Sequence, residues 1–216
     1  MELRTTDNCI RTTIVSSEDN RFTYEIRKEI LGKDGKTGIV IMLYPSITDK
    51  EMVKCDNTTQ ALIDHMDSLG WNTLRIINLF SKVCKARMST RGITLDNENI
   101  EHIRSVMQEK GSAEMDWTVA WGSSMSHCTV ANNMKRKILS MIKEYHPNVS
   151  IKQLTANEVS IKNENAIHPL YLKIRNSNST WYLEDYQIPY DLTPCSNEEV
   201  NERTTTKHND KKKKEK

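Results

Sequence analysis

Short runs of apolar, mostly β-branched residues recur along the chain, separated by polar or glycine-containing segments. The clearest run spans residues 38–43, which are too few for a buried helix. It ends at Pro45, a residue that cannot donate to a strand ladder. Residues 73–77 and 117–121 share this character, and residues 149–154 are a fourth predicted strand. Continuous apolar runs of this kind are typical of strands buried on both faces of a parallel sheet.

The segments between these strands carry apolar residues at helical spacing. Residues 57–69 carry apolar side chains three and four positions apart, and Gly70 follows where a C-cap is expected. Asp96 is predicted to cap a second helix that ends at Gly111, and a third helix is predicted over residues 129–145. The alternation predicts a three-layer α/β domain with a mainly parallel central sheet.

The composition fits one domain with a polar tail. Residues 1–195 are predicted to form the domain, whereas residues 196–216 have no apolar pattern, end in a lysine run and are predicted to be disordered. Such a tail adds non-specific affinity for phosphate backbones or serves only as a solubilising terminus. The net charge of +2 neither requires nor excludes a nucleic-acid partner. No apolar run approaches the ~20 residues of a membrane span, and no signal-peptide core is apparent, so we expect a cytoplasmic protein with no membrane partner.

Several common cofactor and metal motifs are missing from the sequence. The five cysteines are widely spaced with no CxxC pair, which favours free thiols in a reducing cytosol over a disulfide framework or a zinc ribbon. Neither GxGxxG nor GxxxxGK[ST] occurs, and the paired motifs of zinc deaminases are also missing. We therefore expect no cofactor and no metal.

Distinctive polar residues follow each predicted strand. Ligands of parallel α/β sheets bind outside the carboxyl ends of the strands, so these residues are expected to converge on one pocket. They are Tyr44, Pro45 and Ser46 with Asp49 and Asp56 beyond them, then Asn78, then Gly122 and Ser123, and finally His168 in a predicted loop.

Each of these residues also has a purely structural interpretation. Asp49 or Asp56 can cap the helix over residues 57–69, and Ser123 can cap the helix after the third strand. Asn78 can be a turn residue that bonds its own backbone. His168 can be an ordinary surface or core histidine, so the spacing alone leaves both interpretations open.

Five ordered blocks carry a resemblance to a known family. They are residues 42–46 (MLYPS), 56–58 (DNT), 78–80 (NLF), 120–122 (AWG) and 168–172 (HPLYL). The sequence resembles a prokaryotic and phage family of unknown function, whose members carry M-L-N-P-S, D-P-T, N-L-F, A-W-G and H-P-L-Y-L in this order. The resemblance covers about residues 22–175.

The order of these motifs is in turn similar to that of the uracil-DNA glycosylase superfamily. Those enzymes carry a water-activating loop after the first strand, a base-reading Asn, an L-W-G strand and an H-P-S loop with the catalytic His. The resemblance implies that Asn78 reads a flipped base and that His168 stabilises the departing base. It places Tyr44, Pro45, Ser46, Phe80, Gly122 and Ser123 around the substrate.

Tyr44 departs from the pattern of that superfamily. It occupies the position of the water-activating Asp or Asn, and a phenol with a pKa of about 10 is a poor general base at neutral pH. Either Asp49 or Asp56 takes that role, or the protein binds its target without cleaving it. Since base excision has an oxocarbenium-like transition state, it tolerates a weak base.

The resemblance therefore implies a monomeric, metal-independent glycosylase that excises a modified, non-uracil base from DNA, including bulky bases of phage DNA, in antiviral defence. A non-catalytic nucleic-acid or modified-nucleotide binding module and a hydrolase of free nucleotides are the alternatives. Candidate phosphate contacts are Arg87, Arg91, Lys135, Arg136 and Lys137, although a solvated helix face also explains the last three.

Overall fold

The computed structural model of the protein describes residues 7–86, 88–90, 93, 96–157, 159, 166–176 and 178–193. Its centre is a seven-stranded sheet with the order β1-β2-β4-β3-β5-β6-β7. The strands are β1 (Ile10–Ser16), β2 (Thr23–Ile30), β3 (Lys36–Met42), β4 (Trp71–Asn78), β5 (Asp116–Val119), β6 (Lys152–Ala156) and β7 (Trp181–Asp185). The helices are α1 (Asn57–Asp64), α2 (Asn97–Gln108), α3 (Thr129–Tyr145) and α4 (Pro169–Arg175).

The sheet is mixed. Its four central strands, β4, β3, β5 and β6, pair in parallel. β1 and β2 extend the sheet on one side and β7 on the other, all by antiparallel pairing. The predicted α/β class is therefore confirmed. A mainly parallel sheet is correct only for the centre, because β2 and β7 interleave charged and apolar residues and lack the continuous apolar runs of the buried strands.

The four predicted strands correspond to β3, β4, β5 and β6, with ends displaced by a few residues. The helix predicted over residues 129–145 is α3, with the same limits. The first helix ends at Asp64 instead of residue 69, because the chain leaves it through turns that finish at Gly70, whose φ is +71°. The loop predicted around His168 is wrong from Pro169 onward, where α4 begins.

Two apolar cores lie on opposite faces of the sheet. Ile39 and Ile41 of β3 pack with α2 and α3, whereas Val40 and Met42, which alternate with them, pack with α1 and α4. All four side chains are buried, and full burial of an aliphatic side chain contributes about 1.5–3 kcal/mol. Burial on both faces is the physical reason for the unbroken apolar runs of the central strands.

Some sequence predictions lie outside the described residues. Arg87, Arg91 and the tail beyond residue 193 belong to this group. Cys9, Cys55, Cys84 and Cys128 are free thiols. Among the described helices, none combines the length and apolar character that a membrane crossing requires.

Candidate functional site

The candidate site lies where two chain crossovers diverge. The connection that leaves β3 passes to α1 on one face of the sheet, whereas the connection that leaves β5 passes to α3 on the other face. Since β3 and β5 are neighbours, their carboxyl ends form the kind of crevice in which open α/β sheets bind ligands. Residues 44–46 and 120–123 form its two sides.

Asp56 ties the loop after β3 to the start of α1. It is the N-cap of α1, and its Oδ1 accepts a hydrogen bond from the backbone N–H of Thr59 at 2.7 Å. Ser46 Oγ donates to the other carboxylate oxygen. The predicted capping role of Asp56 is therefore confirmed, and the same carboxylate also fixes a residue of the crevice.

A backbone contact of His168 favours one tautomer of its imidazole. It is the N-cap of α4, and its Nδ1 accepts the backbone N–H of Leu170 at 3.2 Å. A neutral imidazole that accepts at Nδ1 carries its proton on Nε2. Burial lowers the pKa of His168, and the carboxylate of Asp56 acts in the opposite direction. His168 is thus a neutral hydrogen-bond donor at neutral pH, electrostatically coupled to Asp56.

Gly122 brings the loop after β5 against His168. Its φ is +66°, a left-handed conformation that favours glycine. A Cβ on Gly122 would lie 3.0 Å from the Cβ of His168, so any larger residue would displace the imidazole. The predicted convergence of these two residues therefore occurs.

Asn78 ends β4 with an unpaired carboxamide. The residue is only 1% exposed, and neither Oδ1 nor Nδ2 has a hydrogen-bond partner among the described residues. Strand alternation places it on the same face as Leu74 and Ile76, which is the face covered by α1 and α4. Its side chain does not bond its own backbone, so the turn interpretation is wrong.

Asn99 supports this strand end, a role that no sequence pattern indicated. Its Nδ2 donates to the backbone carbonyls of Asn78 at 2.9 Å and of Leu79 at 3.2 Å. Pro45 is buried beside the same segment, and its carbonyl accepts the N–H of Cys84 at 2.9 Å. The Asn99 bonds thus hold the end of β4 against α2, and the Pro45–Cys84 bond joins the segments that follow β3 and β4.

Other predicted substrate-binding residues lie on the opposite side of the crevice. Tyr44 and Phe80 pack against the core formed with α2 and α3. Phe80 lines a cavity of about 390 Å³, and the exposed Ser123 lines another of about 470 Å³. Met88 contributes to the walls of both cavities.

Asp49 is separate from the Asp56–His168 pair. It begins a 3-10 helix, Asp49–Glu51, that lies beside β1 at the edge of the sheet. Its Oδ1 is buried without a partner among the described residues. Asp49 does not cap α1, so of the two candidate carboxylates only Asp56 is linked to Ser46 and His168.

The prediction that Lys135 contacts phosphates is wrong, because this residue is 1% exposed. Its Nζ bonds Asn132 Oδ1 at 3.3 Å and lies 5.6 Å from the centre of the Trp121 ring. Burial lowers the pKa of Lys135. Lys135 is spaced at helical intervals from Ala131, Leu139 and Ile142, which places it on the apolar face of α3. This spacing indicated burial, but the charge of the residue suggested exposure.

The two neighbouring basic residues lie nearer the surface. Arg136 Nε donates to the carbonyl of Asp191 at 2.7 Å, whereas Lys137 is exposed.

Comparisons with known proteins give one family match. The sequence model of the family described as "Protein of unknown function (DUF1643)" matches residues 24–170. A solved structure, that of a mutant of the esterase rPPE, aligns at 8% identity with a TM-score of 0.36, over 69% of this chain and 43% of that chain. The chain thus spans less than half the length of that esterase. No curated protein matches the sequence significantly.

Proposed function

The chain belongs to the DUF1643 family, and we propose that it is a DNA glycosylase that excises a modified, non-uracil base after flipping it from the helix. The observation that carries the proposal is the buried, unpaired carboxamide of Asn78. Leaving a buried polar group without a partner costs about 1–3 kcal/mol, and Asn78 leaves both atoms of its carboxamide unpaired, which a bound ligand would explain. A base that offers both a donor and an acceptor on one edge would satisfy Oδ1 and Nδ2 together.

His168 fits the role of stabilising the leaving base. In N-glycosidic hydrolysis the bond between the sugar C1′ and the base nitrogen breaks, and the bonding electrons leave with the base. A neutral imidazole with its proton on Nε2 can donate a hydrogen bond to the developing negative charge. Because burial lowers its pKa, His168 remains in this state without competing protonation at neutral pH.

Asp56 fits the role that Tyr44 cannot fill. The sugar becomes positively charged as the base departs, and water adds to C1′ with loss of a proton. The Asp56 carboxylate stabilises positive charge at this end of the sheet and can accept that proton through Ser46 or a water molecule. We also propose that the chain shares the three-layer arrangement and the site roles of the uracil-DNA glycosylase superfamily, and that it acts in antiviral defence against DNA with modified bases.

The position of Tyr44 favours an alternative, in which the protein recognises a modified base without cleaving its bond to the sugar. Tyr44 packs against the core formed with α2 and α3, so it offers no base to a water molecule on the Asp56 side of the crevice. The same pocket would then bind a modified base in DNA without cleaving it.

Incubation with duplex and single-stranded DNA carrying different modified bases tests the proposal. Alkali or an abasic-site nuclease should then cut the DNA at the modified position, with EDTA present throughout. The His168→Ala variant should lower the rate by about 10²–10⁴-fold while its DNA affinity stays the same. His127→Ala is the control for loss of an imidazole elsewhere, because His127 is exposed two residues before α3 and lines the cavity beside Ser123, not the Asp56 side of the crevice.

Each outcome of this experiment is informative. Binding without abasic sites would select the non-catalytic module, and release of base from mononucleotides alone would select a nucleotide hydrolase. Loss of activity on chelation, with recovery on adding zinc or magnesium, would contradict the metal-independent mechanism.

A further inference from the structure

The two edges of the sheet differ in how they are protected. β7, at one edge, has only five residues, and such a short strand offers little backbone for pairing. Its Glu184 and Asp185 bond to Gln153 and Lys152 of β6. β1, at the other edge, has seven residues with neither proline nor glycine. Its one charged residue, Arg11, pairs with Glu29 of the neighbouring strand at 3.1 Å. Its register with β2 shifts only between Val15 and Ser16, so residues 10–15 form a regular edge that a further strand can pair with.

An apolar groove of about 600 Å³ lies beside this edge. Its walls come from β1, from α1 and from the segment after the 3-10 helix, and include Ile10, Met52, Val53 and Ile63. Val53 is 99% exposed and Met52 is 43% exposed, so apolar surface beside β1 is open to solvent. Burial of such surface is the main source of affinity in most protein associations.

A buried lysine also lines the groove. Lys28 of β2 is 4% exposed, and its Nζ donates to Thr12 Oγ1 at 2.9 Å and to the carbonyl of Met52 at 3.5 Å. Among the described residues, no carboxylate lies within 4.0 Å of this ammonium. Glu51, on the adjoining loop, pairs with Lys54 and Lys85 instead. A buried charge held only by neutral acceptors is best compensated by an anion from outside.

We propose that this edge binds an extended peptide segment of a partner protein as an eighth strand. The backbone of the peptide pairs with β1, its apolar side chains enter the groove, and an acidic side chain pairs with Lys28. A second copy of this chain fits less well, because β1 itself carries Arg11 and no carboxylate to offer to Lys28. The proposal is independent of any glycosylase activity.

Fluorescence anisotropy with labelled eight-residue peptides tests the proposal. The peptides alternate valine and threonine, and one glutamate is moved through successive positions. The peptide with glutamate at one particular position should bind most tightly. Replacing that glutamate with glutamine should lower its affinity about tenfold or more, because the charge-assisted bond to Lys28 is lost. Lys28→Met should remove the preference for glutamate. Lys36→Met, which changes an exposed lysine at the start of β3, should retain it.

Two further measurements keep the proposal testable if Lys28→Met fails to fold. N-methylation of alternate peptide amides should abolish binding by the wild-type protein, and amide hydrogen exchange of residues 10–16 should slow when the unmodified peptide binds. The absence of binding at 1 mM peptide, or equal affinity for the glutamate and glutamine peptides, overturns the proposal. Concentration-dependent dimerisation through β1 in analytical ultracentrifugation also overturns it, because it would assign the edge to a second copy.

Discussion

Asn78 shows how burial and hydrogen bonding of one residue together indicate a ligand. The side chain is excluded from solvent, yet both polar atoms of its carboxamide are unpaired among the described residues. The sheet aims it, since the backbone of Asn78 lies opposite Met42 in the parallel register. A pre-positioned donor and acceptor lose little conformational entropy when a ligand binds.

We predict that Asn78→Asp changes which base is accepted or abolishes excision. The substitution keeps the shape but replaces the two N–H donors with a charge, so a base edge that needs a donor is rejected. Affinity for DNA through phosphates should remain unchanged at matched salt. Excision rates for several modified bases, measured for both proteins with melting curves alongside, check this. Unchanged preference at an unchanged rate would remove Asn78 from the site.

The same substitution at Asp56 and at Asp49 separates the two candidate carboxylates. Asp56→Asn should lower excision by at least about tenfold, because the charge beside His168 and Ser46 is lost. Its effect on the free energy of unfolding should be about 1 kcal/mol or less, because asparagine also caps helices. Asp49→Asn should leave excision unchanged, because Asp49 lies beside β1. The reverse ranking in single-turnover assays would assign the carboxylate role to Asp49.

At the scale of elements, close packing of two strands depends on Gly38. A Cβ at this position would lie 2.2 Å from Trp71 Cε2, and Trp71 is fully buried. The indole of Trp71 is also fixed by a hydrogen bond from Nε1 to Asp116 Oδ2 at 2.9 Å, so it cannot easily move aside. β3, β4 and β5 are thus linked at their amino ends through one aromatic side chain.

We predict that Gly38→Ala destabilises the protein by about 1–3 kcal/mol, the usual cost of overpacking a core. Thr37→Ala, one position earlier on β3, is the control and should change stability much less. Urea unfolding followed by intrinsic fluorescence measures both values. Equal midpoints for Gly38→Ala and the wild type would show that Trp71 repacks freely.

The strands and helices differ in how well their positions could be predicted from the sequence. β3 and β4 were predictable because both of their faces are buried, which removes polar residues from the run. β2 was not predictable because it buries Glu25 and Lys28, and several of their polar partners, such as Arg75 and Thr12, lie on other strands. α4 was missed because seven residues are too short for a clear helical period, although His168-Pro169 is a typical N-cap and first-turn pair.

The candidate site was predictable in part for a related reason. Residues at the carboxyl ends of parallel strands converge by topology alone, so Ser46, Asn78, Gly122 and His168 could be named from their positions. The side of the crevice on which each residue lies depends on local backbone geometry beyond the strand. That geometry separates Tyr44 from Asp56, and no sequence pattern encodes it.

At the scale of the whole molecule, two partly buried histidines couple stability to pH. Burial lowers the pKa values of His65 and His168 below the ordinary value of 6.5. As the pH falls below 6.5, the unfolded chain therefore binds protons that the native protein does not bind. The free energy of unfolding must decrease in this range, by at most about 1.4 kcal/mol per pH unit for each proton.

We predict that His168→Gln makes this decrease shallower between pH 6.5 and 5, since one of the two protons is no longer taken up on unfolding. His127→Gln, which removes an exposed imidazole, is the control variant. Urea unfolding at intervals of half a pH unit measures the slopes. The range stops at pH 5 because the pKa values of Glu25 and Glu51 are also lowered in the native protein, which adds a separate loss of stability at lower pH. A slope that is the same with and without His168 would mean that the native protein protonates this residue as readily as the unfolded chain does. His168 would then be a cation at mildly acidic pH, and the neutral hydrogen-bond donor that the proposed reaction requires would not be maintained by burial.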